Sequence, residues 1–451
     1  MTGAESLVRT LVSEGVHVCF ANPGTSEIHF VAALDRVEGI RCVLTLFEGV
    51  ATGAADGYYR MSEVPAATLL HLGPGLANGL ANLHNASKAR SGIINIVGQH
   101  ATYHVALDAP LSSDVEAIAR PYSSWVRTSQ NSVSVAEDSA AAIAAARRPP
   151  GQIATLILPA DAAWGNVVDH TVPNPPLAPS VASSHEPVEK SARALRRGSR
   201  SALILGGGAV RGQGLNIAGQ IAAKTGCKLM CEHLNPRVER GAGRVPLIRI
   251  PYIVDQAIEM LKDLDHLVLA GAKPPVAFFA YPNKPSVLTA EGATLIQLAS
   301  VEQDITTALD SLAFELDAHQ TSPYLAPYKQ SASASGKITL EGIGAVIASL
   351  LPDDAIVIDE SLTTGRTFWA QTAEANPHDW LSSMGGSIGF GLPLAIGASV
   401  GAPGRKVIAL EGDGSAMYTL QALWTMAREQ LDVTIIVFAN RGYRILQGEA
   451  R

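Results

Sequence analysis

Gly412, Asp413, Gly414 and Ser415 close the apolar run KVIALE, and Asn440 closes the next one, DVTIIVFA. Glycines let a backbone approach a diphosphate closely, and successive N–H groups at the start of a following helix can cradle it. A carboxylate from Asp413, an amide oxygen from Asn440 and a backbone carbonyl, that of Gly442, offer three oxygens for one metal shell. Two phosphate oxygens and a water would complete the octahedron that Mg²⁺ prefers. A glycine-aspartate-glycine turn alone also serves ordinary structural turns. The asparagine, with 25 residues between it and Gly414, is what singles this turn out.

That spacing matches the diphosphate-and-metal motif of thiamin-diphosphate enzymes, and the chain resembles the group containing benzoylformate decarboxylase, pyruvate decarboxylase and acetolactate synthase. The resemblance implies a glutamate at a strand end that opens a helix in the first domain, and LFEGVATGAADGYYR supplies it as Glu48. In the family this side chain donates a hydrogen bond to the cofactor's aminopyrimidine ring and so activates the thiazolium carbon. An acidic residue at a helix N-terminus is common in any protein and contributes ~0.3–1 kcal/mol. Its coincidence with the distant motif favours the first reading.

Further matches extend over essentially the whole chain. NPGTSE, which begins Asn22, Pro23, Gly24, Thr25 and ends at Glu27, resembles the family's first active-site loop. His71, after the run AATLL, stands where benzoylformate decarboxylase has a catalytic histidine. An imidazole ordinarily titrates near neutrality, which suits a proton relay. In DESLTTG, Ser361 and Thr363 resemble residues that touch the diphosphate. In SMGGSIGFGLP the resemblance implies that the Gly386 carbonyl accepts from the 4'-amino group and that Ile388 wedges between the cofactor rings, although an isoleucine there is equally ordinary core. The implied cofactors are thiamin diphosphate and Mg²⁺, and the implied substrate is a small 2-oxo acid. Glu48 of one subunit would face Asp413 of another, so a homodimer or homotetramer is expected.

Within the family, the pattern points first to non-oxidative decarboxylation. NPGTSE, His71 and the block DAPLSSDVEAIARPYSSW support it, because acetolactate synthases usually carry a glutamine-rich substrate loop at that block. PPVAFFAYPN departs from the pattern: Phe278, Phe279 and Ala280 stand near the place of a second active-site histidine. The competing readings are an acetolactate-synthase-like transferase and, from another class, a catalytically silent homologue or binding subunit. A flavin or nicotinamide protein would rest on Gly206–Gly208, but GGGAVRGQG lacks the full dinucleotide fingerprint with its acidic residue at the expected distance.

These residues must be carried by strands whose carboxyl ends face a ligand, as in open parallel sheets. Short apolar runs at Val16–Phe20, Cys42–Leu46, Ala67–Leu70, Ile93–Val97 and Ala154–Leu158 each end in a loop and lead into a helical pattern. Such runs read as parallel strands buried on both faces. The expected fold is α/β with three doubly wound parallel-sheet domains: 1–168 binding the pyrimidine, 188–318 central, and 337–451 binding the diphosphate. Proline- and serine-rich tracts at 170–187 and 319–336 separate them. The eleven residues after Asn440 are too few to return a further strand, so the third domain is expected to be incomplete.

The bulk numbers agree with this reading. A chain of 451 residues exceeds one ordinary core. A net charge of -7 gives no basic face for nucleic acid. No basic leader precedes an apolar run, and no apolar stretch has bilayer-spanning length, so no membrane partner and a cytoplasmic location are expected. Four cysteines, Cys19, Cys42, Cys227 and Cys231, are too few for a disulfide scaffold and read as free thiols.

Overall fold

The computed structural model describes residues 1–168, 185–331 and 334–449. The connector read at 170–187 lies outside them up to residue 184. From His185 to Leu195 the chain is already helical, and Pro187 falls in the first turn, where its missing N–H costs nothing.

Six strands form the first sheet: β1 (Val18–Asn22), β2 (Arg41–Leu44), β3 (Ala66–Leu70), β4 (Ile93–Gln99), β5 (Trp125–Thr128) and β6 (Ile153–Pro159). Their order is β2-β1-β3-β4-β6-β5 and every pairing is parallel. The five expected runs are all present, each within two residues of its expected start. β5 was not anticipated, because WVRT is short and only half-buried at the sheet edge. At the centre, Thr68 donates to Asn95 (2.7 Å), Asn95 to Thr155 (3.0 Å), and Thr155 meets Ser123 (2.6 Å). This polar chain runs through buried positions, where an unpaired group would be penalised, so it pins the register of three neighbouring strands.

Two helices leave this sheet at its carboxyl end, α1 (Glu48–Ser62) after β2 and α2 (Leu72–Ala89) after β3. Cys19, Cys227 and Cys231 are buried and Cys42 is exposed, all as free thiols.

The chain divides into two compact units, one of Met1–Pro179, Ile356–Thr364 and Ser383–Arg451, the other of Ser180–Ala355 and Gly365–Ser382. In the second unit the strands are β7 (Ser201–Leu205), β8 (Lys228–Cys231), β9 (Val238–Arg240), β10 (Ile248–Arg249), β11 (His266–Ala270) and β12 (Thr294–Ala299). The order β10-β8-β7-β11-β12 reverses direction beside β7, which is the doubly wound pattern. Alternate residues serve opposite faces: Leu203, Leu205 and Val268 join one core, while Ala202, Ile204 and Leu267 join another. A sheet packed on both faces needs such continuous apolar runs.

Residues after the second connector form β13 (Ala355–Glu360), β14 (His378–Ser382), β15 (Val407–Gly412) and β16 (Val433–Phe438). β13, β15 and β16 are parallel neighbours, whereas β14 runs antiparallel to β9 within the second unit. The fold is thus α/β with three parallel-sheet layers.

Helix α3 (Gly391–Gly401) crosses α1 within the first unit at near-contact distance. A Cβ on Gly57 would lie 2.1 Å from the Leu394 carbonyl oxygen, and one on Gly397 would lie 1.8 Å from that of Ala54. Only glycine admits such an approach.

Candidate active site

β1 and β3 pair in register, Asn22 opposite Leu70, so the NPGTSE loop and His71 emerge side by side. Gly24 touches the imidazole: a Cβ there would lie 2.2 Å from His71 Nδ1. Glu27, 4% exposed, accepts hydrogen bonds from Gly24 N (2.8 Å), Ser26 Oγ (2.7 Å) and His71 Nδ1 (2.7 Å). Three donors thus converge on the buried carboxylate and fix its orientation. With Nδ1 donating to Glu27, Nε2 is the ring nitrogen left for proton exchange. In the sequence Glu27 is only the last residue of the NPGTSE motif. Its role as the anchor of His71 depends on β1 and β3 being neighbours, which spacing along the chain does not show.

Glu48 is the first residue of α1 and is 6% exposed. Its Oε2 accepts from Asn78 Nδ2 at 3.0 Å, and its Oε1 faces Gly75. Asn78, Asn82 and Asn85 lie at helical spacing along α2, on one face. Asn82 donates to the carbonyls of Gly49 (2.8 Å) and Gly389 (3.3 Å). Asn85 donates to the Ser387 carbonyl (2.9 Å) and accepts from Ser387 N (3.2 Å), and His84 Nε2 lies 3.1 Å from the Gly385 carbonyl. This stripe ties the Glu48 end of α1 and the segment carrying Gly386 and Ile388 to one helix. The signal was visible in ANGLANLHNAS as polar residues on an otherwise apolar helix, but Asn82, His84 and Asn85 each meet a backbone carbonyl over 300 positions away.

The Gly386 backbone has φ +74°, and its N–H donates to Ser383 Oγ at 2.9 Å. Ile388 is half-buried. Glu360, at the end of β13, accepts from Gly389 N and Gly391 N, each at 2.6 Å, and so fixes the backbone just beyond Ile388. The Glu411 carboxyl comes close to the same place: a Cβ on Gly391 would lie 2.0 Å from Glu411 Oε1 and 2.9 Å from Glu360 Oε2. Burial raises both acids, and the neighbouring Glu360 charge raises Glu411 further. Two carboxylates this close and this dry do not both ionise. Glu360, with its two backbone donors, keeps the charge and Glu411 keeps the proton. Neither acid was singled out from the sequence.

At the diphosphate motif, β15 and β16 run in register with Gly412 opposite Phe438, so the two ends of the motif meet. Arg441 N donates to Asp413 Oδ2 and Gly442 N to Asn440 Oδ1, both at 2.9 Å. The turn after β13 lies alongside: Leu362 and the Glu360 carbonyl are within 4 Å of where a Gly412 Cβ would be. Ser361 in that turn is tied to Asp359, and Thr363 is half-buried beside it. Ser415 is 2% exposed, and its hydroxyl has no hydrogen-bond partner among the described residues, exerting only a minor pull on the Glu360 carboxyl. A sequestered donor beside bare glycine backbone fits a diphosphate oxygen. One carboxylate, one amide and the Gly442 carbonyl, which already accepts from Arg444 N at 3.0 Å, are oxygen donors of the kind a hard cation takes. All the predicted residues of this end are therefore brought together.

The central sheet carries its own glycine turn, Gly206–Gly208, after β7. Glu232 follows β8 directly, next to the glycine turn after β7, so an acidic residue does stand at the strand end where a dinucleotide fold carries one. It faces the turn itself. Its Oε1 accepts from Lys273 N at 3.1 Å, and its Oε2 would lie 2.4 Å from a Cβ on Gly206. Gly212 N, at the start of the next helix, is taken by Glu239 at 3.0 Å. Two carboxylates thus occupy places that a diphosphate would need. Phe278 and Phe279, both about half-exposed, pack against each other, and Phe278 packs against Tyr252, whose other neighbour is the His233 ring.

Comparison with known proteins agrees with this geometry. Residues 1–118 match the model for the thiamine pyrophosphate enzyme N-terminal TPP binding domain, and residues 364–451 match the C-terminal TPP binding domain. The chain is 49% identical over 449 residues to "Putative acetolactate synthase large subunit IlvX" of Mycobacterium tuberculosis, covering 100% of this chain and 86% of that protein. It is 28% identical to the benzoylformate decarboxylase of Pseudomonas aeruginosa, covering 96% of this chain and 85% of the relative. Among solved structures, the thiamine diphosphate-dependent 4-hydroxybenzoylformate decarboxylase of Rhodococcus jostii RHA1 superposes with a TM-score of 0.83 at 24% identity, over 100% of this chain and 88% of the other. Among the described residues no helix is long and apolar enough to cross a membrane. With a Glu-opened helix, an anchored histidine and a glycine-cradled Asp–Asn pair all present on three parallel-sheet layers, the chain belongs to the thiamine pyrophosphate enzymes of the acetolactate synthase and benzoylformate decarboxylase family.

Proposed function

We propose that the chain is a Mg²⁺-dependent, non-oxidative 2-oxo acid decarboxylase. The observation that carries this reading is the pairing of partly exposed His71 with buried Glu27, beside Ser26, at the carboxyl ends of β1 and β3. An imidazole oriented by a carboxylate is suited to delivering the proton that takes the place of departing CO₂. Bound thiamin diphosphate supplies the electron sink for the broken carbon–carbon bond. Around it the protein binds, orients and excludes water. Glu48, steadied by Asn78, would hold the aminopyrimidine, with the Gly386 carbonyl on its amino group and Ile388 against its rings. Asn22, Pro23, Gly24 and Thr25 would line the same end. Ser361, Thr363, Gly412, Gly414 and Ser415 would receive the diphosphate, and Asp413, Asn440 and the Gly442 carbonyl the metal. Glu360, by fixing Gly389 and Gly391, would keep Ile388 in place. The active unit would be a homodimer or homotetramer with Glu48 and Asp413 meeting across subunits.

A second reading, a transferase joining two 2-oxo acids, is favoured by the 49% identical relative whose name is acetolactate synthase. Incubation with pyruvate and, separately, with benzoylformate decides between them. Aldehyde as the main product supports the decarboxylase, and acetolactate as the dominant product from pyruvate refutes it. Calorimetry with thiamin diphosphate and Mg²⁺ tests the premise of both, because no heat and no thermal shift would leave a silent homologue.

A further inference from the structure

Four backbone groups around Gly386 are held by side chains, and one beside them is left open. The peptide before Gly386 is fixed at both ends: the Gly385 carbonyl lies 3.1 Å from His84 Nε2, and Gly386 N donates to Ser383 Oγ at 2.9 Å. The peptides after it are held by Asn85, which accepts from Ser387 N at 3.2 Å and donates to the Ser387 carbonyl at 2.9 Å. The Gly386 carbonyl has no donor among the described residues, and Gly386 is exposed. A ligand can therefore reach this oxygen, while the groups around it are already taken.

Peptide planarity gives that oxygen a direction. The Gly386 carbonyl and the Ser387 N–H belong to one trans unit and point opposite ways. With the N–H turned onto α2 by Asn85, the carbonyl points away from that helix. Gly386 itself does little to secure this, because at φ +74° it has no side chain to oppose rotation. The orientation is kept by anchoring the units on either side, and His84 is the anchor on the near side. A carbonyl only accepts, so Nε2 carries the proton whether the ring is neutral or charged. The ring is well placed for this: it meets Tyr122 edge to face with centroids 6.4 Å apart, and a Cβ on Gly385 would lie 2.5 Å from His84 Cδ2. Asn85, fully buried, is tied in turn to Asn82 at 3.1 Å.

We propose that His84 is a cofactor-positioning residue: by holding the Gly385 carbonyl, with Asn85 holding Ser387, it keeps the Gly386 carbonyl directed at the 4'-amino group of thiamin diphosphate. The inference rests on the cofactor placement given above. In this role His84 acts through the backbone and not by contact with the cofactor.

Calorimetry on the full chain with Mg²⁺ compares two probes, thiamin diphosphate and its 4'-deamino analogue, which carries hydrogen in place of the amino group. Wild type is set against His84→Phe, which keeps a ring beside Tyr122 but has no donor, and against His84→Gln, whose amide N–H can reach the Nε2 position. Wild type should prefer thiamin diphosphate to the analogue. His84→Phe should bind thiamin diphosphate about tenfold more weakly, while its affinity for the analogue stays within about twofold of wild type. His84→Gln should recover most of the loss. Damage to the scaffold would weaken both probes alike, because they share the diphosphate and both rings. Equal losses for the two probes would therefore overturn the proposal. Unaltered binding of thiamin diphosphate by His84→Phe would do the same, as would a loss that His84→Gln leaves unrepaired. A wild-type chain that binds neither probe would instead refute the functional reading, and that titration is made first.

Discussion

Gly57→Ala is the sharpest test of how the site is assembled, because it adds one methyl group where α1 and α3 cross. Considered as a helix position alone the change should help, since alanine exceeds glycine in helix propensity by about 0.8–1 kcal/mol. The structure gives the opposite sign. The new Cβ would lie 2.1 Å from the Leu394 carbonyl oxygen and 2.9 Å from its carbon. A carbon and an oxygen normally approach to about 3.3 Å, so the helices must part by roughly 1 Å. Overpacking of this kind costs about 1–3 kcal/mol, and a gap of that width forfeits a quarter to a half of the dispersion energy of the atoms facing it. The net expectation is destabilisation by about 1–2 kcal/mol, with weaker cofactor binding because α1 begins with Glu48 and α3 follows the Gly386–Ile388 segment. Gly208→Ala is the control: nothing lies within 4 Å of its Cβ position, and it should change stability by less than ~0.5 kcal/mol. Urea denaturation of the three proteins, with cofactor titrations alongside, reads both effects. A Gly57→Ala chain as stable as wild type, or more so, would show that the close crossing is not part of the folded protein.

Three further outcomes follow from named contacts. Glu27→Gln keeps the shape but removes the charge that pairs with His71 at 2.7 Å; turnover per substrate encounter should fall about 10–100-fold, with little change in cofactor affinity, as read by kcat/KM and calorimetry. Asn82→Ala removes the donor shared by the Gly49 and Gly389 carbonyls, and should lower the unfolding free energy by about 1–3 kcal/mol in urea titrations. Glu232 bears on pH: burial, the largest cause, raises it to about 7 from an ordinary 4.5. The folded chain then holds a proton between pH 4.5 and 7 that the unfolded chain has released, so this group's contribution to stability is present at low pH and is lost as pH rises through that window. Glu232→Gln should remove that loss and raise stability at pH 8 relative to wild type, by roughly 1–3 kcal/mol. Thermal melts of both proteins from pH 4.5 to 8 check this, and parallel curves would contradict it. Comparing the two proteins cancels the opposite slope expected from His233, which burial holds neutral down to about pH 3.

Much of this molecule is readable from order alone. Apolar runs closed by small residues announce buried parallel strands, because a sheet covered on both faces leaves no room for polar side chains in its middle. Gly412, Asp413 and Asn440 mark a candidate diphosphate-and-metal end because both halves of that motif are local, each at the tip of its own strand. Glu48 and His71 were legible for the same reason, as residues at strand ends. The edge strand at Trp125–Thr128 was not, since half-burial erases the apolar run.

Tertiary structure decided whatever depends on strand order and on acceptors without side chains. Glu27 becomes the anchor of His71 only because β1 and β3 are neighbours. Asn82 and Asn85 of α2 find backbone carbonyls, which leave no trace in the identity of the residues that bear them. Glu360 and Glu411 share one dry pocket because β13 and β15 are parallel partners in register, and neither acid alone signals a shared proton. The central turn shows the same division: its glycines lack the full dinucleotide fingerprint in the sequence, and only the fold shows the carboxylates of Glu232 and Glu239 set against it. Sequence fixes which chemistry each strand end carries; the packing of those ends against one another sets which groups meet, because hydrogen bonds and charge act over a few ångströms of space and not along the chain.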